Sequence, residues 1–104
     1  MMKLLIILSV AEFQNEVRAM MTRNKVSIYS ETEMYGFKAE DHQPDIRSWF
    51  SQPDKGIYST LFFSFQTEAT VKQILEDVRT FNETQEENAE NPLHAYQIDV
   101  EAFA

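Results

Sequence analysis

The chain has 104 residues, with 17 Asp and Glu against 9 Lys and Arg for a formal charge of −8, no cysteine and 2 glycines. This length sustains one core without covalent staples, and a 43% hydrophobic composition argues against global disorder. Without thiols there is no disulfide scaffold, zinc-thiolate site or cysteine nucleophile, and two glycines do not build the phosphate-cradling loops of most nucleotide-binding enzymes.

The charge is unevenly placed. Residues 1–52 carry 6 basic and 7 acidic side chains, whereas residues 53–104 carry 3 and 10, and no Lys or Arg follows Arg79. A face built from the second half would repel a phosphate backbone, so neither nucleic acid nor anionic lipid is an expected partner.

Met1-Met2-Lys3 and the apolar run Leu4 to Leu8 resemble the opening of a signal peptide, with Ser9-Val10-Ala11 as a small-residue cleavage site. The segment is shorter than the roughly 15–30 residues such leaders need, and far short of the ~20 that cross a bilayer. A buried strand over Leu4–Leu8 is therefore expected, and with it a cytoplasmic protein without membrane insertion. Residues 11–21 then place Phe13, Val17, Met20 and Met21 on one helical stripe, with Ser9 as the expected cap. From Val26 the period becomes two: Val26, Ile28, Ser30, Thr32 and Met34 alternate with Ser27, Tyr29, Glu31, Glu33 and Tyr35. This predicts a long half-exposed strand that stops at Gly36.

Tyr58 to Phe65 predicts the next strand. A second helix carries Val71, Ile74, Leu75, Val78 and Phe81 on one stripe, capped by Thr67 or by Thr70 with Gln73. Tyr96, Ile98 and Val100 alternate with Gln97, Asp99 and Glu101 in a closing strand. The β-α-β-β-α-β order predicts an α+β, ferredoxin-like sandwich: a four-stranded antiparallel sheet with two helices on one face. Tyr29, Tyr35, Tyr58 and the phenylalanines of residues 61–65 exceed what one helical layer covers. The open sheet face is therefore expected to be buried by self-association.

Between Gly36 and Tyr58 lie 21 residues, a length that marks a functional or disordered connection. Within it Ile46, Trp49 and Phe50 fall at i, i+3 and i+4, either an anchor for another protein or a cover for a sheet edge. His42, among Glu40, Asp41 and Asp45, is the nearest approach to a metal site, though no spacing defines a geometry. Residues 82–91 carry four Glu and no basic residue, as a solvated linker does. No nucleophile and base pair is legible, so no catalytic residue is assigned.

With this order in view, Glu31-Thr32-Glu33-Met34-Tyr35-Gly36-Phe37 resembles the Thr-Glu-x-x-Gly-Phe string that ends the second strand of PII-like signalling proteins, before their long T-loop. The opening strand, the entry near Thr67 and the closing strand are similar in position, so the resemblance covers nearly the whole chain as a single domain. It implies a non-enzymatic homotrimer with small-effector sites in clefts between subunits, and a T-loop at residues 38–57 that docks on a transporter or enzyme. Carried over, the cleft would use Leu8, Ser30, Gly36, Phe37, Lys38, Phe65 and His94, and Ile46, Trp49 and Phe50 would meet the partner. The family continues Gly-Arg-Gln where this chain has Lys38-Ala39-Glu40, and its glycine-rich, basic second loop is here acidic. Those departures argue against a nucleotide triphosphate as effector and leave a metal cation as the alternative, in a related trimeric metal-tolerance type that would use His42, His94 and the acidic loop.

Overall fold

The computed structural model describes residues 1–37, 57–85 and 92–104. Strand β1 (Met2–Val10) runs through a short 3-10 turn (Ala11–Phe13) into helix α1 (Gln14–Arg23), followed by β2 (Ser30–Gly36), β3 (Ile57–Thr67), helix α2 (Glu68–Glu83) and β4 (Leu93–Asp99). The strands form one sheet in the order β2-β3-β1-β4. Every neighbouring pair is antiparallel, and both helices pack on one face, as the α+β ferredoxin-like pattern predicts.

Alternation along the strands decides what the helices cover. Leu5, Ile7 and Phe62 point toward the helices and meet Val17, Met20 and Met21 of α1 and Val71, Ile74 and Val78 of α2 in a fully or nearly fully buried core. Phe13 and Phe81 close one end of this layer edge to face, with ring centroids 5.4 Å apart. Leu5 is paired with Ser64 and Ile7 with Phe62, so a one-residue slip would exchange the core set for the opposite face.

The ends of the elements differ from the expectation where side chains act locally. Thr67 caps α2, its hydroxyl accepting from the Thr70 amide at 3.3 Å. Ser9 does not cap α1: it is buried in β1, donates to the Val10 carbonyl, and is separated from the helix by the 3-10 turn. At the far end of α1 the Val26 amide reaches the Met21 carbonyl at 2.9 Å and the Lys25 amide reaches Thr22 at 3.0 Å. This is a Schellman closure, and it holds Lys25 at φ 61 where glycine is usual.

That closure corrects the predicted second strand. Val26 does not begin a strand. It folds back into the core as the apolar plug of the closure, and pairing starts only at Ser30. β4 begins earlier than predicted, at Leu93, because the Asn82 side chain of α2 binds both backbone groups of that residue. The amide Nδ2 donates to the Leu93 carbonyl at 2.9 Å, and Oδ1 accepts from its N–H at 3.2 Å. Asn82 thus acts as one rung of a strand and closes the start of an edge. No helix among the described residues is long and apolar enough to cross a membrane.

Candidate functional site

The sheet face away from the helices is built from alternate residues of every strand. Ile98, Leu4 and Phe65 form one row across β4, β1 and β3. Tyr96, Ile6, Phe63 and Ser30 form the next, and His94, Leu8, Leu61 and Thr32 the third. No Asp, Glu, Lys or Arg stands in these rows. Phe65 is 53% exposed, Tyr96 45% and Ile98 44%, so an apolar field faces outward where most antiparallel sheets turn polar. The phenylalanines of β3 divide between the faces: Phe62 is in the core, while Phe63 and Phe65 are on the open side. Tyr35 and Tyr58, expected to add to this field, pair with each other on the helix-side face of the hairpin instead.

Three clusters of charged groups on the helix side are tied by ion pairs. Lys3, buried at the end of β1, is bonded to Asp99 and lies 3.7 Å from Glu68. The Asp99 hydrogen bond holds its ammonium above the ordinary value against the opposing effect of burial. Arg18 of α1 grips Glu31 of β2 with two hydrogen bonds, 2.9 and 2.6 Å, and this holds the carboxyl below its usual range. Burial pushes the Asp77 carboxyl up, but hydrogen bonds from Asn24 and Gln73 and the Arg23 charge outweigh it and leave it lowered.

The residues expected in the cleft distribute as follows. Leu8 and His94 are direct partners on the open face, and Ser30 stands opposite Phe63 one row away. Gly36 lies at the hairpin end, paired with Ile57, and Phe37 follows it, exposed. Phe65 is eight residues beyond Ile57 on β3, roughly 26 Å along the strand, so one copy does not bring Gly36 and Phe65 together. Lys38, His42, Ile46, Trp49 and Phe50 lie outside the described residues. Among the described residues no three His, Asp or Glu side chains gather as a metal site would require.

Two hydroxyls of this face stand outside the expected site residues. Thr32 joins the His94 row, and Ser59 stands between Val10 and Met34. The Ser59 hydroxyl is fully buried and has no hydrogen-bond partner among the described residues. Alternation from Phe65 back to Ser59 is the signal that would have found it.

No family model matches the chain, and no match was found among curated proteins. Solved structures do match. The apo form of CPII from Thiomonas intermedia K12, a nitrogen regulatory PII-like protein, superposes with a TM-score of 0.66 at 15% identity, covering 95% of this chain and 88% of that one. A candidate PII-like signalling protein from Thermus thermophilus gives 0.63 at 16% identity, over 95% and 85%. CPII bound to ADP, AMP and bicarbonate gives 0.60 at 15% identity, over 99% and 96%. In strand order, helix placement and extent, this chain has the fold of the PII-like nitrogen regulatory proteins.

Proposed function

We infer that the chain is a divergent, non-enzymatic PII-like regulator. It associates as a homotrimer through its open sheet face, binds a small effector in the clefts between copies, and acts on a partner such as a membrane transporter through residues 38–57. The observation that carries this reading is the charge-free apolar face on a fold shared with regulatory proteins over nearly its whole length. Such a face is unstable in water and is relieved by a second surface of the same kind. Leu8, Ser30, Gly36, Phe37, Lys38, Phe65 and His94 are the proposed cleft residues, and the separation of Gly36 from Phe65 fits a cleft to which different copies contribute different ends. Ile46, Trp49 and Phe50 remain the proposed partner contacts, in a cytoplasmic protein.

The effector we expect carries less negative charge than a nucleoside triphosphate, since residues 82–91, which the family resemblance matches to a glycine-rich, basic loop, carry four Glu and no Lys or Arg. Light scattering on the full chain at micromolar concentration tests the assembly: three times 12.2 kDa is expected, and a monomer overturns the reading. On the same sample, thermal shift with ADP, AMP, bicarbonate and divalent cations, each added singly, tests the effector. A ligand at 100 times its dissociation constant adds about 2.7 kcal/mol of stability.

A further inference from the structure

The β2–β3 hairpin has two unlike sides. Ser30, Thr32 and Met34 point to the apolar open face, while Glu31, Glu33 and Tyr35 point the other way, with Tyr58 opposite Tyr35. On that second side the helical cover runs out toward the loop. Arg18 of α1 reaches Glu31, but Glu33 is exposed, and Tyr35 and Tyr58 are 64% and 36% exposed. The two rings meet edge to face with centroids 5.5 Å apart and planes at 75°. They are held by the strand register, so their arrangement exists before anything binds. Glu33 lies two residues from Tyr35 on the same side, roughly 7 Å along the strand. Among the described residues it takes part in no ion pair.

We propose that Tyr35, Tyr58 and Glu33 form a docking patch for a basic segment of a partner protein. An Arg or Lys side chain lies against the tyrosine rings, where the ring faces attract its charge and the aliphatic stem covers apolar surface. Its head group reaches the Glu33 carboxylate. The net charge of −8 favours the approach of a cationic segment to the chain as a whole, and the Glu33 carboxylate beside the rings, in no ion pair among the described residues, marks where it docks. The patch is on the opposite side of the hairpin from the apolar rows. The proposal rests on the regulatory reading only for its need of a protein partner.

Calorimetric titration of the full chain with a nona-arginine peptide, and with a nona-glutamate peptide as its opposite, tests it. Wild type is expected to bind the arginine peptide alone. The Tyr35→Leu/Tyr58→Leu pair is expected to weaken that binding about tenfold, and Glu33→Gln several-fold. Tyr35→Phe, which keeps the ring, retains it. Glu76→Gln on α2 makes the same charge change elsewhere and leaves affinity unchanged. Equal affinity in the leucine pair, an equal loss in Glu76→Gln, or no binding by wild type overturns the proposal. Melting curves verify that each variant is folded, and light scattering on the same samples reports separately on the assembly.

Discussion

Lys25 is the residue at which local geometry and residue type disagree most plainly. The Schellman closure of α1 needs a left-handed conformation, and a side chain with a Cβ adopts it at a cost of about 1–2 kcal/mol. The position is exposed, so replacement removes no packing. Lys25→Gly is expected to stabilise the fold by about 0.5–1 kcal/mol, after the greater freedom of glycine in the unfolded chain is subtracted. A urea titration reads this as a higher midpoint with an unchanged slope. A lower midpoint would mean that the lysine side chain makes a contact the geometry does not reveal.

Between elements, the ties are ionic where the helices leave the sheet. The Arg18–Glu31 pair joins α1 to β2, and Asp77 joins α2 to the end of α1 through Asn24 and Arg23. Both carboxyls are held below their unfolded values, near pH 4, so the folded state binds fewer protons than the unfolded one in acid. Their stabilisation is complete above about pH 5 and is lost as the pH falls through the lower folded values. Glu31→Gln is expected to cost about 0.5–1 kcal/mol at neutral pH and to flatten the acid side of a midpoint-against-pH curve. A curve parallel to wild type would show that this pair contributes nothing. Most elements were legible in the sequence because their periods differ sharply: Val17, Met20 and Met21 form a helical stripe, and the run Leu4 to Leu8, for all its likeness to a leader, reads as a strand, although only Leu5 and Ile7 are buried while Leu4, Ile6 and Leu8 are half-buried on the open face. What escaped was decided by individual hydrogen bonds, backbone ones at the end of α1 and a side-chain clamp at the start of β4. Val26 read as a strand residue until the turn after Asn24 drew it into the core. β4 read as starting at Tyr96 because the clamp of Asn82 on Leu93 joins residues 11 apart in sequence. The proposed cleft residues come from the family resemblance alone, and the distances among them were not legible, since the span between Gly36 and Phe65 depends on the length of β3.

For the whole molecule, the contrast between the two sheet faces sets the expected behaviour in solution. The helix side buries its apolar residues within the chain, and the open side exposes Phe65, Tyr96 and Ile98. Ile98→Glu changes only the open side and leaves the core set intact. In the proposed trimer it buries an unpaired carboxylate, so light scattering is expected to report a monomer while the circular dichroism spectrum is retained. A variant that still assembles would move the interface off this face. The pairing of Gly36 with Ile57 has a further consequence. Opposed residues in an antiparallel ladder stand about 4.5–5.5 Å apart, so both ends of the connection over 37–56 are fixed to one rung. A doubling of such a connection changes the closure cost by only about 0.6 kcal/mol. The fold therefore fixes where this connection leaves and rejoins the sheet while placing almost no demand on its length, so insertions or deletions within it are expected to leave the sandwich's stability nearly unchanged.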